Sequence, residues 1–236
     1  PTILTSATLS VENSLDYYSG RVGYERGEKI ILGTVFDYEK QMSIFISKSV
    51  PQPEDENYIT ALSQEIRKYT EKTHGKAFVL FTNYEHMRNC AEELRSFFSE
   101  KGINLLVHGE GLSRNKMIDH FRRDIDSVIF GATSFWSGVD VPGESLSNVI
   151  ITKLPFLVPS HPLIQARSEA VERNGGRAFM DYQLPEAILR LRQGIGRLIR
   201  TKTDKGIVVI LDSRIITKSY GKKFLSSIPK CKTTVV

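Results

Sequence analysis

The stretch Ala77-Phe78-Val79-Leu80-Phe81-Thr82-Asn83-Tyr84 joins five apolar residues to a more polar triplet. A fully apolar run of this length is typical of a parallel strand that is buried on both faces. A helix is predicted directly after it, over about residues 85–101. Strand followed by helix is the unit from which parallel sheets are built, so this stretch decides the fold class.

The same alternation extends in both directions along the chain. Further buried strands are predicted at residues 42–46, 103–107, 127–130, 148–152 and 206–211, and further helices at 11–20, 58–72, 113–124 and from Pro185 onward. We therefore predict an α/β fold with a mostly parallel central sheet covered by helices on both faces. Residues 155–185 are predicted to form a helical connection within it, with Ser160 as a cap and a break at Gly175-Gly176.

Ligands of such folds bind at the carboxyl ends of the strands. Four segments follow predicted strands directly, and they are Thr82-Asn83-Tyr84, His108-Gly109, Ala132-Thr133-Ser134 and Lys153-Leu154-Pro155.

Composition sets wide limits. The chain has 236 residues with a net charge of +5, which permits a nucleic-acid partner without requiring one. Cys90 and Cys231 are far apart in the sequence, so a disulfide framework, a zinc site or an iron–sulfur cluster is not expected in this piece. The five histidines show no metal-ligand spacing, and no metal site is predicted. Because no apolar run is long enough to cross a membrane, we expect a cytoplasmic protein without a membrane partner.

A second decisive stretch is Gln193-Gly194-Ile195-Gly196-Arg197-Leu198-Ile199-Arg200. If it is helical, Arg190, Gln193, Arg197 and Arg200 form one outward cationic face opposite an apolar stripe. Two glycines within a helix cost about 1 kcal/mol each, which predicts close approach to a ligand or a neighbouring domain. The face could be merely solvated. The glutamine, the glycines and the register favour binding of phosphate.

Residues 131–143 follow a predicted strand and hold three glycines and the only tryptophan. Thr133 and Ser134 could donate hydroxyl groups to a phosphate backbone. Phe135 and Trp136 could stack on a base or plug the core, and the sequence does not choose between these roles. Asp140 could bind a ribose or orient an arginine. The alternative is a plain turn with an aromatic plug.

Taken together, these stretches resemble the second RecA-like domain of superfamily 2 helicases of the XPD/DinG branch. The octet at 193–200 resembles motif VI, residues 131–143 with the later Leu154-Pro155-Phe156 resemble motif V, Thr82-Asn83-Tyr84 resembles motif IV, and Ser6-Ala7-Thr8 resembles motif III. The chain departs from motif V at Ser137, where similar proteins carry glutamate.

The resemblance implies roles for particular residues. Arg197 and Arg200 would be arginine fingers to the γ-phosphate of ATP, and Gln193 would line the same cleft. The nucleotide would also meet Gly138, Asp140 and Gly196. Single-stranded DNA would meet a set formed by Thr82, Asn83, Tyr84, Thr133, Ser134 and Phe135.

Two motifs of a complete motor are missing, namely a phosphate loop of the form G-x-x-x-x-G-K-[ST] and a D-E-x-H sequence. We therefore expect a fragment of a longer chain that begins just before motif III, with residues 3–9 as an opening strand. ATP and Mg²⁺ would be held mainly by an N-terminal motor domain of the same chain, so the fragment alone should not hydrolyse ATP.

The leading hypothesis is the C-terminal motor domain of a DinG-like DNA helicase, for which the resemblance implies 5′-to-3′ movement. The alternative is a nucleic-acid-binding domain of a DinG-type 3′-5′ exonuclease, in which the motor fold guides cleavage. A free-standing mononucleotide-binding protein is disfavoured because the phosphate loop is missing.

Overall fold

The computed structural model describes residues 2–24, 26–136 and 145–236, and within these ranges a single seven-stranded sheet forms the centre of the fold. Its strands are β1 (Met42–Ile46), β2 (Ala77–Phe81), β3 (Asn104–Val107), β4 (Ser127–Ala132), β5 (Asn148–Ile151), β6 (Gly206–Ile210) and β7 (Lys232–Val235). Their order across the sheet is β3-β4-β2-β5-β6-β1-β7, and all six pairings are parallel.

Helices connect the strands. They are α1 (Asp16–Val22), α2 (Tyr38–Gln41), α3 (Tyr58–Lys72), α4 (Tyr84–Glu100), α5 (Arg114–Arg123), α6 (Pro162–Arg173), α7 (Leu184–Ile195), α8 (Arg214–Thr217) and α9 (Gly221–Ser227). A short 3₁₀ turn covers Thr133–Trp136, and a π-helical turn at Phe179–Gln183 leads without a break into α7.

The sheet is buried on both faces, which explains its apolar strands. Along β2, Phe78 and Leu80 face one core layer with helices α5 and α7. The alternate residues Ala77, Val79 and Phe81 face a second layer with α3 and α4. This arrangement confirms the predicted α/β class with a parallel sheet between two helical layers.

The predicted opening strand is wrong. Residues 2–10 contain no strand, and the side chain of Ile3 is 87% exposed. A run of apolar residues forms a strand only when a neighbouring strand accepts and donates its backbone hydrogen bonds, and no strand of the described sheet does so here. The first helix also begins later than predicted, at Asp16 rather than near Val11.

Two further local predictions need correction. His161, and not Ser160, occupies the N-cap position of α6. Strand β7 and helices α2, α8 and α9 were not predicted. β7 is a mostly exposed edge strand of Lys and Thr with one Val, so its composition lacks the apolar signal that marks the central strands.

Candidate functional site

The loops that follow neighbouring strands meet at the carboxyl edge of the sheet. Phe81, the last residue of β2, pairs with Ala132, the last residue of β4, so Thr82 and Thr133 leave the sheet side by side. Asn83, Tyr84, Thr133 and Ser134 are exposed, and Thr82 is partly exposed. The structure thus brings together five of the six residues that were predicted to face nucleic acid.

Two of these residues have marked local geometry. The Asn83 side chain caps helix α4, where its oxygen accepts hydrogen bonds from the backbone N–H of Glu85 at 2.7 Å and of His86 at 3.3 Å. This cap explains why an asparagine stands here, whether or not it also meets a ligand. Thr133 has φ of +38°, in the left-handed region that a β-branched residue rarely adopts. Such strained residues cluster at ligand-binding sites.

The aromatic pair after Thr133 and Ser134 belongs to the core, which corrects the expectation for Phe135. Its ring has 0% exposure and occupies the space that a side chain on Gly131 would need, 2.5 Å from the position of a Cβ. Trp136 is also buried, and its indole N–H donates to the carbonyl of Phe81 at 2.8 Å. Of the two roles that the sequence left open, the structure shows the core plug for both.

Tyr84 is the aromatic residue of this edge that keeps an exposed face, at 40%. Its ring lies 5.3 Å from the ring of His108, which in turn meets the edge of Phe135 at 4.9 Å. Burial, followed by the positive charge of Arg114, lowers the pKa of His108 and so favours the neutral ring. A row of rings therefore supports Tyr84 from behind.

Helix α7 ends at Ile195, before either arginine of the octet is reached. Gly196 occupies the C-cap, and beyond it Leu198 and Ile199 turn into the core. The predicted outward cationic row is consequently wrong: the side chain of Arg197 is buried, with 3% exposure, and Arg200 is exposed on the loop that follows. Burial of Leu198 and Ile199 outweighs the helical register on which the prediction relied.

The glycines were expected to allow close approach of a ligand or a neighbouring domain, but at Gly194 the close neighbours belong to the same domain. A Cβ on Gly194 would lie 3.2 Å from both the Leu80 side chain and the Trp136 ring. Helix α7 therefore packs tightly on its own sheet, rather than on a ligand or another domain.

The N-terminal segment lies along the same helix. Gln193 Nε2 is 3.5 Å from Thr8 Oγ1. Beside it, the guanidinium of Arg192 donates to the Ser10 carbonyl and, at 3.0 Å, to the Ser10 hydroxyl. Arg192 was missed in the sequence because it lies off the predicted cationic face. The stretches that resemble motifs III and VI are thus in contact.

Arg200 begins a turn that Asp204 closes. Asp204 Oδ2 accepts from the backbone N–H of Arg200 at 2.7 Å and of Thr201 at 2.8 Å, and Oδ1 accepts from the Thr201 hydroxyl at 2.7 Å. Burial alone would raise the pKa of Asp204, but these hydrogen bonds outweigh it and lower the pKa. The turn fixes the backbone from which the exposed Arg200 side chain extends.

Gly138 and Asp140, which were predicted to meet the nucleotide, lie outside the described residues. Within the described ranges, no cluster of three or more His, Cys, Asp or Glu side chains could hold a metal ion. No helix among them is long and apolar enough to span a membrane.

A family model for the helicase C-terminal domain matches residues 66–231. The chain belongs to this family. The matched range contains the carboxyl-edge loops, helix α7 and the turn at Asp204, whereas the contact at Thr8 lies before it.

Curated proteins named as YoaA or DinG are similar to nearly the whole of this chain. The ATP-dependent DNA helicase YoaA of Haemophilus influenzae is 40% identical over 233 residues, covering 98% of this chain and 36% of the relative. The 3'-5' exonuclease DinG of Bacillus subtilis is 37% identical over 235 residues, covering 96% of this chain and 25% of the relative. The chain thus spans about a third or less of the length of these curated relatives.

A solved structure described as "XPD_APO" has a TM-score of 0.68 over 94% of this chain and 46% of its own, at 17% identity. At this identity the likeness concerns the fold alone, and it agrees with the RecA-like domain that the motifs implied.

Asp212 directly follows Leu211 at the end of strand β6 of the helicase domain, a position typical of a turn or cap residue. The carboxylate does accept from the Arg214 backbone N–H at 3.1 Å, as such a residue would. It also accepts from Leu154 N–H at 2.8 Å, and so ties the end of β5 to the end of β6. The second role was invisible in the sequence because the two residues are 58 positions apart.

Proposed function

We propose that this chain is the C-terminal motor domain of an ATP-dependent DinG-like DNA helicase. In this role it supplies arginine fingers to ATP and part of the track for single-stranded DNA. The observation that carries the proposal is the exposed Arg200 on a turn fixed by Asp204, directly after a helix whose Gln193 contacts Thr8. A solvated basic face would need neither the fixed turn nor this contact.

At the nucleotide, Arg200 and Arg197 act as the fingers, Gln193 lines the cleft, and Gly196, Gly138 and Asp140 complete it. Arg200 is exposed, whereas Arg197 is buried beside the end of α7 and would reach ATP only after a local rearrangement. ATP and Mg²⁺ are bound mainly by an N-terminal motor domain of the same chain. Guanidinium groups stabilise the charge that develops during phosphoryl transfer.

At the nucleic acid, the hydroxyls of Thr82, Thr133 and Ser134 face the phosphate backbone together with Asn83. Tyr84 offers its exposed ring to a base, and the neighbouring His108 ring supports the tyrosine ring. Phe135 contributes by supporting this row from the core, not by stacking on DNA. Contacts of this kind carry little sequence information, which suits movement along a strand.

A second candidate function has one observation in its favour, which is the similarity to a Bacillus subtilis protein named as a 3'-5' exonuclease. In that case the domain would guide DNA to a nuclease elsewhere in the protein. The motor hypothesis is preferred because a domain that only guides DNA to a nuclease has no need of an exposed arginine on a fixed turn beside Gln193.

The proposal is tested by measuring ATP hydrolysis and DNA binding in parallel. The 236-residue chain alone should bind single-stranded DNA with an affinity that falls steeply with salt, and it should not hydrolyse ATP. The full-length protein should hydrolyse ATP when DNA is added. Hydrolysis by the isolated chain, or DNA binding that is independent of salt, would contradict the proposed division of labour.

A further inference from the structure

A second group of charged side chains lies at the carboxyl edge of the sheet, where the proposed function assigns no role. Lys153 follows β5, and Asp212 and Arg214 follow β6, the next strand along. β5 also pairs with β2, with Ile151 opposite Leu80. Lys153 therefore lies one strand away from the Thr82 loop, at a spacing of about 5 Å between neighbouring strands.

Asp212 is a buried carboxylate at the end of the neighbouring strand β6, but its oxygens are fully occupied. Oδ1 accepts from Arg214 N at 3.1 Å and Nε at 2.9 Å. Oδ2 accepts from Leu154 N at 2.8 Å and Arg214 Nη2 at 2.6 Å. A carboxylate has about four acceptor positions, so this one has none left for the Lys153 ammonium.

Lys153 is itself partly buried, and no carboxylate of the described residues lies within ion-pair distance of its Nζ. Burial, and then the positive charge of Arg214, lowers the pKa of Lys153, while the negative charges of Asp212 and Glu54 oppose this change. A partly desolvated ammonium without a partner is costly, and the expected compensation is an anion from outside the chain.

His86 lies in the first turn of α4, two residues after Tyr84. Burial, and then the charge of Lys153, lowers the pKa of His86. The His86 ring is also fixed against Tyr58, at 5.1 Å.

We infer that Lys153 binds a backbone phosphate of single-stranded nucleic acid and extends the surface of Thr82, Thr133 and Ser134 by one strand. The inference rests on the proposed function, since it adds a contact to the same track. A lysine suits this role because its ammonium is a point charge that contacts successive phosphates without geometric selection.

The test is the salt dependence of single-stranded DNA binding by the full-length protein, using an unstructured oligothymidylate as the probe. Each phosphate contact contributes about 0.7 to the slope of log K against log salt concentration. Lys153→Ala and Lys153→Met should each lower the slope by about 0.7, and Met retains the buried aliphatic stem. Lys153→Arg keeps the positive charge and should keep the wild-type slope.

The matched control is Lys222→Ala, an exposed lysine on α9 that is outside the proposed track and should leave the slope unchanged. Thermal unfolding of each variant separates loss of fold from loss of contact. If wild type binds with a salt-dependent affinity and both Lys153 variants keep its slope, Lys153 is structural and this inference is wrong while the proposed function stands. If wild type shows no salt-dependent binding, both fail.

Discussion

Phe135 provides the clearest separation between a core role and a DNA-binding role. Its ring is completely buried, packs over Gly131 and meets the ring of His108. Truncation of a buried phenylalanine to alanine costs about 3–5 kcal/mol of the free energy of unfolding. For a chain of this length, each kcal/mol lowers the melting temperature by about 2–4 °C, so Phe135→Ala should lower it by roughly 6–20 °C. Thermal unfolding followed by circular dichroism measures the change directly.

Tyr84→Ala is the matched control for Phe135→Ala. Tyr84 is exposed, so its loss should change the free energy of unfolding by less than about 1 kcal/mol. It should weaken single-stranded DNA binding by about 1–3 kcal/mol, which is the usual worth of one stacked base. The reasoning is refuted if Phe135→Ala leaves the melting temperature within about 2 °C of wild type and weakens DNA binding instead.

Two further predictions concern buried hydrogen bonds. Trp136→Phe removes the indole donor to the Phe81 carbonyl and should cost about 1–3 kcal/mol in chemical denaturation; an unchanged midpoint would mean that this carbonyl is well satisfied elsewhere. Asp212→Asn leaves the largely buried Arg214 without its carboxylate and replaces one of the two oxygens that accept from Arg214 and Leu154 by an NH2 donor, so the free energy of unfolding should fall by about 3–5 kcal/mol. A loss below about 1 kcal/mol would show that the contact of Asp212 with Leu154 does not hold the ends of β5 and β6 together.

Much of the fold could be predicted because its strands are buried on both faces. Strands β1 and β2 and helix α3 have the predicted bounds, since continuous apolar runs and a clear helical period are direct records of burial. The loops at the carboxyl edge followed from the strands that precede them. Strand β7 escaped prediction because an edge strand needs no apolar run on its outer side.

The site was less predictable where tertiary packing overrides local pattern. The octet at 193–200 reads as one helix, yet Leu198 and Ile199 gain more from burial in the core than from remaining helical, and Arg197 is buried with them. Phe135 and Trp136 have no local signal that separates a stacking ring from a core ring. The contacts of Arg192 with Ser10 and of Asp212 with Leu154 join distant parts of the chain, and no spacing rule reveals them.

The central claim is that an arginine of this domain stabilises the transferring phosphate of ATP. The most direct test is DNA-stimulated ATP hydrolysis by the full-length protein, comparing wild type with Arg200→Ala and Arg200→Lys. Arg200 is preferred to Arg197 because its side chain is exposed, so the variants should keep the melting temperature of wild type. Removal of an arginine finger lowers turnover by about 10³–10⁵-fold, and we expect Arg200→Ala to fall in this range with DNA binding retained. Unchanged hydrolysis in Arg200→Ala would contradict the account and leave the fixed turn at Asp204 without a role in ATP hydrolysis.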